Sequence, residues 1–188
     1  MKRNHIIIGI TAALVALPAA AQEQGWYAGF SVGNSKSGDA CNGMGAGISC
    51  EDTTTTWKLI GGYQMNRNLA VELGYTPRLA NAKASGFGLT DEIKSSALEL
   101  VAIPSYPIGD FSLFGKLGLY TAKTDETTNF AGDQSATNTD FTFGVGVGYQ
   151  FHRNFGARLE WQRYSKVGGG DIGKEDVDAL NLGLLYRF

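Results

Sequence analysis

Six charged side chains stand on the polar face of runs in which apolar and polar residues alternate. They are three carboxylates and three cations: Glu72, Glu99, Glu160, Lys58, Lys116 and Arg158. Alternation places every second side chain on the same face of a strand, so these six are expected to share one interior. An isolated buried charge is costly, and charges of both signs therefore predict a network of ion pairs. Such a network would fill and polarise the interior.

Side chains for nucleophilic or metal-assisted chemistry are scarce. The chain has two histidines and two cysteines, too few to build a Cys/His zinc cage. His152 is the histidine that remains after residue 21, and no candidate nucleophile stands beside it in the segment His152-Arg153-Asn154. A catalytic nucleophile needs a base within hydrogen-bond reach. We therefore expect no enzyme and no cofactor.

The composition indicates an ordered chain with little attraction to nucleic acid. Charged residues make up 18% of the chain, and the formal net charge is −2. Nucleic-acid binding depends on a positive surface, so no such partner is expected. Ten Phe, eight Tyr and three Trp exclude a disordered chain, and 26 Gly with four Pro exclude a Pro-rich or collagen-like one.

The start of the chain has the three parts of a secretory signal peptide. A basic beginning is followed by an apolar run over 6–17 and by Ala19 and Ala21, the small residues of a cleavage site. The apolar run is shorter than the roughly 20 residues of a spanning helix, which argues against the alternative of a retained anchor. We predict a signal peptide over 1–21 and one mature domain over 22–188.

Export sets the expected redox state of the two cysteines. Cys41 and Cys50 would meet an oxidising compartment, so we predict a disulfide between them, with two free thiols as the alternative. The loop that they close is short, and the bond would stabilise the fold by roughly 2–3 kcal/mol.

Period-two alternation recurs along the mature chain, and no window has a sustained helical stripe. We predict eight strands from runs near 26–33, 56–65, 69–76, 97–106, 111–120, 141–151, 155–162 and 180–188. Tight turns at 66–68, 107–109 and 152–154 alternate with long polar connections near 34–54, 79–94, 121–139 and 165–177. Short turns on one side and long loops on the other are typical of outer-membrane barrels. The predicted fold is all-β, an eight-stranded antiparallel up-and-down transmembrane β-barrel.

The direction of the apolar face separates a membrane barrel from a soluble one. The apolar set is continuous and rich in aromatics, whereas the opposite set of Gly, Ser, Thr, Gln and charges is too polar to fill a dry core. A soluble barrel such as a lipocalin, the alternative, would pack its large apolar side chains inward. The observed pattern instead fits a bilayer. We expect an aromatic girdle at the short-turn end, formed by Trp26, Tyr63, Tyr149, Phe151, Tyr186 and Phe188.

The fourth strand departs from the pattern. Val101 and Ile103 make both of its faces apolar, and Pro104 cannot donate a hydrogen bond to a neighbouring strand. We predict a bulge near Pro104, with a register that slips by one residue. Pro77 raises the same question at the outer rim.

Several segments resemble small outer-membrane barrels of Gram-negative bacteria. The last strand has their alternate apolar residues and terminal aromatic: Leu180, Leu182, Leu184, Tyr186 and Phe188. Segments 25–29, 61–64 and 158–161 resemble the OmpA transmembrane domain, and the short loops are similar to those of the OmpX/Ail group. The resemblance covers essentially the whole mature chain. Because the sequence stops at Phe188, no peptidoglycan-binding periplasmic domain is expected.

This resemblance implies a location, partners and a role. It places the chain in the outer membrane, among lipids and lipopolysaccharide, with the last strand read by the barrel-assembly machinery. It implies a plug or narrow gate that includes Glu72, Lys116 and Arg158, the alternative being that these charges only fill the interior. It also implies a monomer that supports the envelope and presents four outer loops to host molecules, phage or complement factors.

Three functions follow as hypotheses. The first is a structural surface protein with loop-mediated adhesion or antigen roles, and the second is a narrow or gated pore for small solutes. Pairing of the interior charges would favour the first over the second. The third is a lipid-modifying enzyme, which would need a His–Ser or His–Asp pair at the outer rim, whereas His152 lies in a turn on the opposite side.

Overall fold

The structure is a computed structural model that describes residues 24–38, 49–86, 89–128, 134–168 and 174–188. The predicted signal peptide over 1–21 lies outside these residues. Cys41 also lies outside them, as does the side chain of Cys50, so the disulfide stays a prediction. Among the described residues, no helix is long and apolar enough to cross a membrane.

Eight long strands and one short strand make up the described part of the chain. They are β1 (Gly25–Ser37), β2 (Ser49–Glu51), β3 (Thr53–Asn66), β4 (Leu69–Gly86), β5 (Leu89–Ile108), β6 (Phe111–Thr128), β7 (Gln134–Gln150), β8 (Phe155–Gly168) and β9 (Lys174–Arg187). The long strands contain the eight alternating runs of the sequence, because alternation gives each strand one face for the surroundings and one for the interior.

The long strands form one antiparallel sheet that closes on itself. Its order is β4-β3-β1-β9-β8-β7-β6-β5, and β5 pairs back to β4. The first and last strands seal the barrel in continuous register from Tyr27–Arg187 to Ser37–Val177. Closure pairs the strand backbones around the whole circumference, which a bilayer requires. The predicted eight-stranded antiparallel barrel is confirmed, and β2 is a short addition that pairs with β4.

One end of the barrel carries the tight turns, at 67–68, 109–110 and 151–154. The second of these turns is displaced from its predicted place at 107–109, because Pro107 and Ile108 still pair with β6. Gly109 then takes the turn with φ of 63°, a left-handed conformation that glycine adopts without steric strain.

At the opposite, outer end the strands are longer than the alternation predicts. β5 has 20 residues and is about 66 Å long at roughly 3.3 Å per residue, well beyond a bilayer span. Much of the predicted connections 79–94 and 121–139 is therefore strand. The sequence of the extensions lacks a sustained apolar period, yet the backbones of neighbouring strands still pair there.

The outward face carries the large apolar side chains, as the alternation predicts. Leu117 is 62% exposed and Leu182 is 59% exposed. At the short-turn end the outward residues become aromatic: Trp26 lies 5.0 Å from Tyr63, and Tyr186 lies 5.1 Å from Phe188, between ring centroids. Further exposed rings at this end are Tyr106, Phe111 and Phe155.

The interior is less polar than the sequence predicts, because two apolar clusters lie inside it. We name as the outer cluster Leu79, Ala80, Ala97, Tyr120, Ala122, Tyr164, Val167, Val177 and Ala179. We name as the inner cluster Tyr27, Ile60, Ala70, Val101 and Ile103. The expectation of an inward set too polar for a dry core is thus wrong for both clusters, which lie on either side of the six charged residues predicted for the interior. The strand extensions supply much of the outer cluster. β5, the fourth predicted strand, has apolar residues on both faces and adds Val101 and Ile103 to the inner cluster.

No register slip occurs at Pro104, so the predicted bulge is wrong. Ala102 pairs with Leu117 and Ser105 pairs with Phe114, which is the same register with β6 on both sides of the proline. Pairing of β5 with β4 ends at Pro104. Ser105 donates its N–H to Asn68 on the β4 side, so the missing N–H of Pro104 faces β6, where the ladder skips Ile103 and Pro104. The strand accommodates this gap without an extra residue.

A register shift does occur in β4, next to Pro77. The register between β4 and β5 shifts between Thr76 and Ala80. A bulge changes which side chains of a strand point inward. Here it accompanies the burial of Leu79 in the outer cluster.

The ladder between β3 and β4 is interrupted at the same height. It ends at Leu59–Tyr75, and β2 resumes pairing with β4 at Glu51–Lys83 in the same register. We name this interruption, between 52–58 and 76–82, the seam.

Candidate functional site

Six charged residues meet in the middle of the barrel, between the inner and outer clusters. Lys58 comes from β3, Glu72 from β4, Glu99 from β5, Lys116 from β6, and Arg158 and Glu160 from β8. All six are at most 4% exposed. These are the six residues that the alternation of the sequence assigned to the interior, and we name them the charge network.

Arg158 and Glu72 form a two-pronged ion pair across the lumen. The Nη1 and Nη2 atoms of Arg158 lie 2.5 and 3.1 Å from the two carboxylate oxygens of Glu72. Tyr27 donates its hydroxyl to the same carboxylate at 2.8 Å. Arg158 also lies 3.2 Å from Glu160. Two parallel charge-assisted hydrogen bonds fix both distance and orientation.

The two lysines connect the remaining carboxylates. Lys58 Nζ lies 3.0 Å from Glu99 and 3.2 Å from Glu160. Lys116 Nζ lies 3.1 Å from Glu160, 3.5 Å from Glu99 and 3.7 Å from Glu72. Each carboxylate of the charge network thus faces at least two cations, and three positive charges balance three negative ones.

Neutral side chains that the sequence analysis did not include complete the charge network. Gln162 accepts a hydrogen bond from Lys58 at 2.6 Å and donates to Glu99 at 2.8 Å. Tyr164 donates to Glu99 at 2.6 Å. Both residues continue the inward period of Arg158 and Glu160. Gln162 is the last residue of the predicted run 155–162, and extension of that run by two residues would have found Tyr164. Tyr27 was visible as a large aromatic on an inward face.

Apolar layers close the charge network on both sides. On the outer side, Tyr120 and Tyr164 meet edge to face with centroids 5.2 Å apart. On the inner side, Phe114 packs against the inner cluster, and the guanidinium of Arg158 lies 5.8 Å from its ring centroid. Burial on both sides explains why the charges must pair. Chemically, this arrangement holds fixed charges and closes the lumen.

The other predicted site residues lie elsewhere. Leu180, Leu182 and Leu184 point outward on β9, followed by Tyr186 and Phe188 at the short-turn end. The strand that carries them pairs with both β1 and β8.

His152 lies in the exposed turn between β7 and β8, at the short-turn end of the barrel. Its Nδ1 accepts the backbone N–H of Asn154 at 3.3 Å. This contact stabilises a turn and brings no nucleophile to the ring.

Comparisons with known proteins agree with this architecture. Residues 21–188 match the model of the OmpA-like transmembrane domain. Outer membrane protein A of Klebsiella aerogenes is 30% identical over 197 residues, and that of Serratia marcescens is 31% identical over 206 residues. Both matches cover 100% of this chain and 56% of the relative, so the chain spans little more than half the length of these proteins.

Solved structures share the fold at low sequence identity. The N-terminal β-barrel domain of Pseudomonas aeruginosa OprF has a TM-score of 0.59 at 16% identity, over 89% of this chain and 100% of that one. Neisserial surface protein A has a TM-score of 0.57 at 13% identity, over 87% and 97%. The family match extends over nearly the whole chain and the barrel accounts for it; the chain belongs to the OmpA-like transmembrane domain family and is a β-barrel of the Gram-negative outer membrane.

Proposed function

We propose that the chain is a closed structural barrel that supports the outer membrane and presents its outer ends to the surroundings of the cell. The observation that carries this proposal is the balanced charge network between two apolar clusters. Paired, buried charges offer no free charge to a passing ion, and the apolar clusters offer no wetted path. Such an interior supports a role in envelope integrity over diffusion of solutes.

Single-channel conductance tests this proposal. The refolded chain in planar bilayers is expected to be silent. Glu72→Ala and Arg158→Ala are expected to conduct, because each removes a large side chain from the lumen and leaves a buried charge that recruits water. Arg163→Ala is the matched control, because Arg163 lies on the outward face of β8, and it should stay silent. A steady, large conductance of the unmodified chain would contradict the closed barrel.

A narrow, gated pore is the second candidate, and shared ion-pair partners favour it. Glu160 lies within 3.2 Å of all three cations of the charge network. Lys116 lies within 3.7 Å of all three carboxylates. Glu72 can therefore exchange Arg158 for Lys116 without losing its counter-charge. Rare, brief openings of the unmodified chain in the same recording would identify this function.

We further propose that surface partners bind at the outer ends of the strands, as an adhesin or surface antigen would require. The attachment invasion locus protein Ail of Yersinia pestis, which shares the fold, has been solved with a heparin analogue. The strand extensions continue well beyond a bilayer span, so such partners would meet the outer ends of the strands there.

Replacement of the outer loops tests the adhesion proposal. In one variant, residues 129–133 and 169–173 are exchanged for Gly and Ser. Cells that produce this variant are expected to attach to immobilised host matrix several-fold less than cells that produce the unmodified chain. Equal surface amounts and a folded barrel on gels would be checked first. Unchanged attachment, also after replacement of 39–48, would contradict a role of these loops.

Export and assembly complete the proposal. We propose cleavage after Ala21, a disulfide between Cys41 and Cys50, and recognition of β9 by the barrel-assembly machinery. The support for the last point is the row of outward apolar side chains that ends in Tyr186 and Phe188. Contact with lipopolysaccharide around the outer ends, and a monomeric state, belong to the same proposal.

A further inference from the structure

The outward wall of the barrel has a groove near its outer end. The groove has a volume of about 240 Å³, and six outward side chains line it: Asn34, Lys36, Thr53, Trp161, Asp178 and Leu180. The backbones of β1 and β9 form its floor at Ser35 and Ala179, whose buried side chains are directed into the barrel. The groove thus lies outside the lumen and is separate from the charge network.

The groove lies where the outward face of the wall changes from apolar to charged. The register aligns two outward rows, which run from β1 through β9 to β8 as Asn34-Leu180-Trp161 and, two residues further out, as Lys36-Asp178-Arg163. Leu180 is 55% exposed and continues the apolar face of Leu182 and Leu184. A tryptophan beside charged side chains is typical of a membrane–water interface. One side of the groove therefore faces acyl chains, and the other side faces the headgroups of the outer leaflet.

Lys36 provides a cation on the headgroup side of the groove. Its Nζ lies 3.6 Å from Asp52, which is beyond hydrogen-bond length, and its side chain is 64% exposed. Asp178 differs, because its two carboxylate oxygens accept hydrogen bonds from Arg163 at 2.8 and 2.7 Å. The charge of Asp178 is thus balanced by its partner, whereas the N–H donors of Lys36 can bind an anion that enters the groove.

Trp161 provides a fixed apolar surface on the other side. Its ring meets Phe143 edge to face, with centroids 5.9 Å apart. The guanidinium of Arg163 lies 5.6 Å from the centroid of the same ring. These contacts hold the indole beside Leu180, its partner on β9. A large aromatic surface next to polar groups is suited to the apolar face of a sugar ring, which carries hydroxyls around its edge.

Asn34 and Thr53 complete the lining with groups that recognise hydroxyls. The amide of Asn34 both donates and accepts hydrogen bonds. The hydroxyl of Thr53 donates to Asp52 at 3.0 Å, and its oxygen can still accept. A phosphate without hydroxyls has no donor for these acceptors. The mixture therefore favours a ligand that carries hydroxyls as well as a negative charge.

Size and chemistry together identify the ligand. The volume of the groove is below the roughly 300–1,000 Å³ of sites for drug-sized ligands, so it suits one sugar ring better than a whole lipid. A phosphate on that ring would bind Lys36, its hydroxyls would bind Asn34 and Thr53, and an attached acyl chain would lie along Leu180. We propose that the groove binds a phosphorylated sugar of an outer-leaflet glycolipid, of the chemical class of lipid A.

Native mass spectrometry of the refolded chain in detergent micelles tests this site with bis-phosphorylated lipid A as the probe. One molecule of lipid A is expected to stay bound at concentrations several-fold below those needed for phosphatidylglycerol or for lipid A without phosphates. Equal retention of lipid A and phosphatidylglycerol would overturn the proposal, because the wall would then select charge alone. Equal retention of lipid A with and without phosphates would overturn the role of Lys36 in binding the phosphate.

Two substitutions locate the glycolipid. Lys36→Ala and Trp161→Leu are each expected to weaken lipid A binding at least five-fold. Lys123→Ala is the matched control and should bind as the unmodified chain does. The side chain of Lys123 is 59% exposed, it lies 3.2 Å from Asp125, and it stands four residues beyond the outward Leu119, as Lys36 stands four beyond Val32. Equal losses in the two lysine variants would overturn the site.

The glycolipid site rests on the proposed contact of the outer ends with lipopolysaccharide and gives that contact one position on the wall. The two can fail separately. Absence of lipid A binding by the unmodified, folded chain would contradict both. Binding that persists in Lys36→Ala and Trp161→Leu would overturn only the groove, since the glycolipid would then be held elsewhere on the barrel. Gel mobility of unheated samples shows that each variant is folded before binding is measured.

Discussion

Replacement of Arg158 by methionine is expected to lower the free energy of unfolding by about 3–5 kcal/mol. The change removes the partner that binds both oxygens of Glu72, at 2.5 and 3.1 Å, and leaves that carboxylate with Lys116 at 3.7 Å. The interior then carries three negative and two positive charges. Breaking one side of a buried pair is costly because the remaining charge has lost its solvent as well as its partner.

Arg163→Met is the matched control for this prediction. Arg163 also forms a two-pronged pair, with Asp178 at 2.8 and 2.7 Å, but both side chains are more than one-third exposed. Solvent screens such a pair, so the free energy of unfolding should fall by no more than about 1 kcal/mol. Urea unfolding of the refolded barrels in lipid, followed by tryptophan fluorescence, gives both values. Equal losses in the two variants would show that burial does not set the strength of the central pair.

A double variant separates lost pairing from lost packing. Arg158→Met with Glu72→Leu removes both charges of the pair and restores the balance of two cations and two carboxylates. It is expected to recover much of the stability that the single variant loses, because an apolar pair of similar volume often replaces a buried ion pair without net loss. Tyr27 loses its acceptor in this variant. Recovery should therefore fall short of complete by about 1 kcal/mol, the usual net value of one hydrogen bond.

The alternation in the sequence predicts the barrel and the composition of the charge network, because both depend on the two-residue period alone. Each of the six charged residues sits on the polar face of its run, and a closed barrel of eight strands turns that face to one lumen. The pairing within the charge network could not be predicted in this way. It depends on how far each strand is shifted against its neighbours, which the period does not contain.

Two errors have the same physical origin. The bulge expected at Pro104 is absent, because the ladder with β6 skips Ile103 and Pro104 and resumes in the same register, so a missing N–H leaves a gap in the hydrogen bonds without an extra residue. A register shift occurs instead next to Pro77. The connections expected over 79–94 and 121–139 are largely strand, because pairing in water needs no apolar face. In both cases backbone hydrogen bonding, which leaves no mark on side-chain periodicity, decides the structure.

Gly33→Ala is expected to destabilise the barrel by about 3 kcal/mol and to reduce the refolded fraction, at the upper end of the cost of overpacking. Gly33 lies on β1, which closes the barrel by pairing with β9. A Cβ atom there would stand 1.9 Å from the carbonyl oxygen of Leu180 and 2.7 Å from Cα of Asn181. Both are backbone atoms, which cannot rotate away as a flexible side chain would, so the two strands must separate.

Gly61→Ala provides the control on the outward face of β3, where a Cβ would meet no atom within 4 Å. Its refolded fraction should match that of the unmodified chain. Folding is measured by the shift in gel mobility between heated and unheated samples and by urea unfolding in lipid. The two glycines differ in what a methyl group would touch, while the added volume and the change in backbone freedom are the same. Equal behaviour of the two variants would show that β1 and β9 can separate at little cost, and that closure of the barrel does not depend on the close approach of their backbones at Gly33.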